Sequence, residues 1–180
     1  MIVFSWYYFE GFQTRMSDSI EVVAGKKDLE DANLSTFALL SNALVTHKVL
    51  LDSPFFGEGL GSRPISHDKH IENVVDVERV PRFINLNREG GNSLFLRILS
   101  EIGLFGIIVL FYFLLKFYLP KRKDKTNYLW VISSAILVMF LIILIRAEHY
   151  FAGGLFFFFW LYYFTWKVNK KQKLSHENRN

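Results

Sequence analysis

The chain reads as an all-α polytopic membrane protein with three full transmembrane helices, a partial N-terminal span and one large external loop. Three observations predict this. Apolar residues gather into uninterrupted blocks instead of spreading as they would around a soluble core. Clusters of Lys and Arg sit at the ends of those blocks. A long polar and net acidic segment separates the first apolar stretch from the rest.

Residues 1–9, MIVFSWYYF, make about half a bilayer as a helix, and they lack the basic leader and small-residue cleavage site of a signal peptide. They read as the remnant of a transmembrane span. Residues 10–93 follow as the large external, periplasmic loop. The first full span is placed at 94–119: Ile102 to Leu115 is free of charge, and a snorkelling Lys116 lets Phe117 to Leu119 extend it to 18 residues. That is about 27 Å of helix, close to the hydrocarbon thickness of a bilayer. Residues 120–127, PKRKDKTN, form a basic cytoplasmic loop, 128–145 the second span, and 146–149 a short periplasmic turn. The third span, 150–166, is rich in Phe, Tyr and Trp, and 167–180 is a basic cytoplasmic tail.

The two basic clusters orient the chain by the positive-inside rule. The segment from Glu10 to Ser93 carries nine Lys and Arg against thirteen Asp and Glu, so the formal +4 of the whole chain masks an acidic exterior. That distribution argues against a nucleic-acid footprint. With no cysteine there is neither a disulfide framework nor a thiolate metal site.

Within the loop, Phe37, Leu40, Leu44 and Leu51 recur near helical spacing, with Asn33 or Ser35 as N-cap and Asp52-Ser53-Pro54 as the stop. This helix is amphipathic enough to lie on the membrane face or pack on other spans; simple packing is the plainer reading, and it is assigned no chemistry. The GEGLG stretch, Gly57 to Gly61, lacks the GK[ST] and βαβ context of a nucleotide loop; its glycines predict a tight turn that approaches another backbone, or a phosphate, closely. His67 and His70 read as solvated loop histidines, with no metal assigned. Arg63, Arg79, Arg82 and Arg88 have the guanidinium forks that bind phosphate, or are ordinary surface arginines among many acids.

Arg97 and Glu101 open the first span. Because Ile102 to Leu119 already crosses the hydrocarbon, Arg97 lies at about headgroup level, where a charge costs well below the ~2.5–3.5 kcal/mol of midplane insertion. An intrahelical ion pair and a functional site are both consistent with this spacing.

SPFFGEGLGS followed by GNSLFLRILSEIGLFGI resembles the C-terminal portion of the O-antigen polymerase and O-antigen ligase family of bacterial polysaccharide assembly. The ligase motif runs His, then Asn, Ser or Gln, nine residues, and Gly-x-x-Gly; here Ser93, Leu94 to Ile102, Gly103 and Gly106 fit, but Asn92 stands where His is expected. The departure favours the polymerase side. The resemblance implies a metal-independent membrane glycosyltransferase with no cofactor, in the bacterial inner (cytoplasmic) membrane. It would transfer glycan from undecaprenyl pyrophosphate to an acceptor repeat unit on the periplasmic face. Membrane lipids and other polysaccharide-assembly membrane proteins are the further partners it implies. Family members carry more spans, so the expectation is a C-terminal part of such an enzyme.

The leaving pyrophosphate needs cations, for which Arg88, Arg97, Arg146 and Arg63 are the candidates. Glu101 is the candidate acceptor or orienting group, with Asn92 and His149 behind it. The alternatives are an O-antigen ligase and a non-enzymatic polytopic protein such as a transporter component or complex subunit.

Overall fold

The structure is a computed structural model that describes residues 10–121 and 128–177. The expectation for residues 1–9 and the middle of the basic loop therefore lie outside the described residues. Among the described residues there are six α-helices, in order α1 Glu10–Val23, α2 Leu34–Asp52, α3 Arg63–His70, α4 Leu94–Lys116, α5 Leu129–Arg146 and α6 Leu155–Glu177, and no strand. Short 3-10 turns occur at Leu29–Asp31, Ile71–Asn73 and Ala152–Gly154.

Three helices, α2, α4 and α5, are long and apolar enough to cross a membrane, so the all-α, polytopic membrane class holds. Two of them, α4 and α5, match spans expected from sequence, although α4 ends at Lys116 and not at Leu119. The third, α2, lies within residues 10–93, the segment expected to be external, and its buried face carries Ser41, Asn42 and Thr46. The aromatic block expected as a span at 150–166 becomes α-helical only at Leu155, because Gly153 and Gly154 take positive φ of 62° and 71° and end any α-helical run there. What remains before Lys167 is a short apolar stretch at the start of α6, packed along α5.

The α4–α6 bundle has a core of Leu94, Ile98, Leu114, Ile136, Phe140 and Tyr162. Tyr162 is fully buried and donates its hydroxyl to the Leu114 carbonyl at 2.8 Å, which satisfies a carbonyl near the end of α4. Outward, α4 and α5 expose Ile108, Tyr112, Leu115, Ile142 and Ile145, the pattern of helices solvated by lipid. A second core joins α2 to the following segment through Phe37, Val45, Ile71, Val75 and Val80.

Helix α2 begins where the sequence places it: Asn33 Oδ1 accepts from the Thr36 amide at 3.1 Å. Its buried face is not the leucine face. Phe37, Ala38, Val45 and Val49 are inside together with Ser41, Asn42 and Thr46, whereas Leu44 and Leu51 point outward. The spaced leucines mark the outer face because the inner face carries polar groups with a specific partner, described below.

Helix α4 is broken at Gly103, where φ is 70° and ψ −160°. The break leaves carbonyls and amides without intrahelical partners, which is costly in an apolar setting. The segment from Pro54 to Gly59 heals it. Glu58 and Gly59 donate their amides to the carbonyls of Ser100 and Glu101, both at 3.0 Å, while Leu104 and Phe105 donate to the carbonyls of Pro54 and Phe55, again at 3.0 Å. The tight glycine turn therefore approaches a backbone, and its Glu58 and Gly59 amides are spent on helix carbonyls and not on a phosphate.

Candidate functional site

The healed break fixes the first two turns of α4, and these carry Arg97 and Glu101. Ser93 caps the helix, its Oγ accepting from the Leu96 amide at 3.2 Å. Glu101 lies one turn beyond Arg97, and its Oε1 accepts from Arg97 Nε at 3.0 Å. The other oxygen, Oε2, accepts from the Tyr150 hydroxyl at 2.8 Å. Glu101 is 1% exposed, so both oxygens are occupied and shielded. In this arrangement it orients Arg97 and Tyr150 and does not face an acceptor sugar.

Arg97 is a crossbar between α4 and the turn after α5. Its Nη1 donates to the Glu148 carbonyl at 3.0 Å and to His149 Nδ1 at 2.9 Å, and the guanidinium lies 5.1 Å from the centre of the Tyr150 ring. Arginine only donates, so His149 Nδ1 accepts and the imidazole proton sits on Nε2. The turn 146–149 and the start of α4, far apart in sequence, are thus locked together as expected from their shared side of the membrane.

Arg63 departs from expectation. Instead of lying on a surface it is fully buried, because α3 packs its N-terminal end against α2. Nη1 donates to Thr46 Oγ1 at 3.0 Å and Nη2 to Asn42 Oδ1 at 2.6 Å, so the polar face of α2 exists to receive this guanidinium. Burial holds Arg63 down at about 10, with Arg97 adding to the effect and Glu101 opposing it. It stays charged at neutral pH, fully buried between α2 and α3. His67 and His70 are likewise buried, at 1% and 7% exposure, which corrects their reading as solvated loop residues.

The remaining candidates line two clefts. One, of about 660 Å³, is bounded by Asp68, Asn85, Asn87, Arg88, Glu89, Gly90, Glu148 and His149. Arg88 is already engaged there: its Nε donates to Asp68 Oδ1 at 2.6 Å and its Nη2 to Oδ2, a two-pronged pair that holds the Arg88 turn on α3. Its guanidinium keeps the Asp68 carboxyl below the usual range. With Glu89 and Glu148 present, this cleft is rich in acceptors and suits hydroxyl donors better than anions.

The second cleft, of about 390 Å³, is lined by Arg146 and by the amides and hydroxyls of Asn33, Ser35, Thr36, Asn87, Asn92 and Ser19, together with Met16 and Leu39. Among its described lining residues there is no carboxylate, and Arg146 supplies the cation. The N-terminal turn of α2 opens onto it, but its cap is already paired: Asn33 donates its amide and Nδ2 to Asp18 Oδ2 at 2.8 and 2.9 Å, so a carboxylate counterbalances that helix end. Asn92 belongs here. It sits at φ 66°, a left-handed position that asparagine tolerates, and accepts from Asn87 Nδ2 at 2.6 Å. Asn87 lines both clefts, so it forms their shared wall.

Arg97, Glu101 and His149 therefore form one latch, Arg88 and His149 face one cleft, Asn92 and Arg146 face the other, and Arg63 lies beneath. Sequence reasoning missed Tyr150, Asn87, Asn42 and Thr46. For Asn87 a signal was present in NREGGNS, where Asn and Gly crowd into a turn. No family model, no curated protein and no solved structure matches the chain.

Proposed function

We propose that this chain is the C-terminal part of a membrane polysaccharide polymerase of the O-antigen type, acting on the periplasmic face of the bacterial inner membrane. On this reading residues 10–93 and the turn after α5 lie outside, and glycan passes from undecaprenyl pyrophosphate to an acceptor repeat unit. The observation that carries the proposal is the pairing of two clefts of opposite character across Asn87. The Arg146 cleft offers a cation among neutral polar side chains, which suits a pyrophosphate whose negative charge grows as the glycosidic bond breaks. The neighbouring cleft offers Glu89 and Glu148 as acceptors for sugar hydroxyls, Asp68 being held by Arg88. The His149 Nε2 proton is a donor beside them.

This reading reorders the cations. Arg97 and Arg88 hold the architecture, and Arg146 meets the leaving group. Asn92 shapes the wall between the clefts, a turn-forming role that suits the polymerase side better than a ligase histidine. A non-enzymatic reading has one observation in its favour, the engagement of both Glu101 oxygens, which removes the nearest α4 carboxylate as a base. The two readings separate in cells. With Arg146→Gln introduced at the native locus, the polymerase reading expects loss of the long-chain polymer ladder at unchanged protein level. A normal ladder ends the assignment.

A further inference from the structure

On the far side of the glycine turn from α4, three segments converge at the ends of α2 and α3. Asp52 closes α2, Glu58 lies in the turn that heals the α4 break, and His70 closes α3. One ligand atom from each lies within 4.8 Å of the others. His70 Nε2 is 3.6 Å from Asp52 Oδ2 and 3.8 Å from Glu58 Oε1, too far for hydrogen bonds. The His70 side chain is only 9% exposed, and its Nε2 is buried with no hydrogen-bond partner. A buried imidazole nitrogen aimed between two carboxylates, and bonded to neither, is the observation that needs an explanation.

We propose that Asp52, Glu58 and His70 bind a divalent transition-metal ion of the zinc class, which clamps the glycine turn to α2 and α3. Bonds of about 2.0–2.2 Å around a tetrahedral ion place ligand atoms roughly 3.3–3.6 Å apart, so the two His70 separations, 3.6 and 3.8 Å, already lie within a few tenths of an ångström of that geometry, and the exposed Asp52 side chain has room to close on Glu58. One imidazole with two carboxylates favours a borderline ion over Mg²⁺ or Ca²⁺, which take all-oxygen sets. Glu58 is already oriented for this: Ser66, fully buried, donates its hydroxyl to Oε2 and leaves Oε1 turned toward His70. Lys69, half exposed, reaches Asp52 Oδ2 at 3.0 Å and Glu58 Oε1 at 2.8 Å. Its ammonium is the competitor that the metal displaces toward solvent.

The site is independent of the polymerase reading, and its role is structural. By tying Glu58 to two helix ends, the ion would stabilise the turn whose amides cap the Ser100 and Glu101 carbonyls.

The test is titration of zinc chloride into the tag-free full chain in detergent, by calorimetry and by thermal unfolding, with magnesium and calcium chloride as comparators. We expect one saturable zinc site and a zinc-dependent rise in the unfolding midpoint. Asp52→Asn and His70→Gln should each weaken binding at least ~10-fold, and Lys69→Ala should tighten it. Asp52 is 49% exposed, so its variant folds even where a change at buried His70 does not. Absence of saturable binding at millimolar zinc overturns the proposal, as does binding by Asp52→Asn that matches wild type.

Discussion

The backbones of Gly57 and Gly103 lie against one another so closely that neither position has room for a side chain. A Cβ on Gly57 would meet the Ser100 carbonyl oxygen at 2.6 Å, and one on Gly103 would meet the Phe55 carbonyl at 2.6 Å and the Gly57 nitrogen at 2.7 Å. Both residues also hold positive φ, so alanine is strained as well as crowded. Gly57→Ala and Gly103→Ala should each destabilise the chain by ~2 kcal/mol or more, seen as a lowered unfolding midpoint in detergent. Gly11→Ala, in open space on α1, serves as the comparison and should be neutral to stabilising, by up to ~1 kcal/mol, because alanine favours the helix. Equal midpoints for all three would remove the healed break from the account.

Glu101 holds Arg97 in a largely buried pair, the two side chains being 0% and 14% exposed. Glu101→Gln keeps the shape but leaves the guanidinium without its counter-charge. It should cost ~3 kcal/mol, the scale of breaking such a pair, whereas Tyr150→Phe should cost ~1 kcal/mol for one lost hydrogen bond. Denaturant unfolding of the two variants checks the ranking, and a smaller loss for Glu101→Gln than for Tyr150→Phe is the opposing result.

Burial and the neighbouring Arg63 push the His67 imidazole below its ordinary 6.5. Its Nδ1 has no hydrogen-bond partner and stands 3.7 Å from the nearest Asp68 oxygen. The unfolded chain therefore takes up the proton first, and binding it favours unfolding. The stability that neutral His67 allows is fully present above pH 6.5 and is lost progressively as pH falls below it. Unfolding midpoints of wild type and His67→Asn, compared from about pH 8 to about pH 5, should show the wild type losing ground on acidification. A difference that stays constant with pH contradicts this.

Much of this architecture was legible in the residues. The uncharged run after Ile102, the stop at Asp52-Ser53-Pro54 and the Asn33 cap each report a local cause, and each appears where expected. The Arg97–Glu101 pair and its meeting with the RAEHY turn followed from helical spacing and from a shared membrane side. What stayed hidden depends on contacts distant in sequence. Nothing near Gly103 in the chain says that a loop more than forty residues earlier will complete its hydrogen bonds. Nothing near Arg63 says that α2 will turn Asn42 and Thr46 inward to receive it, because that pairing joins residues seventeen and more apart in the chain. The later start of α6 was legible only in Gly153 and Gly154, inside a run that hydropathy alone reads as continuous.

The central claim is that Arg146 meets the lipid-linked pyrophosphate while Arg88 does not. Its most direct test is equilibrium binding of a fluorescent polyprenyl pyrophosphate to the full chain in nanodiscs, for wild type, Arg146→Gln and Arg88→Gln. A lost charge-assisted contact of ~1.5–3 kcal/mol predicts that Arg146→Gln weakens binding by about 10- to 150-fold, and that Arg88→Gln changes it by less than about threefold. Wild-type affinity in Arg146→Gln, or a larger loss in Arg88→Gln, contradicts the account.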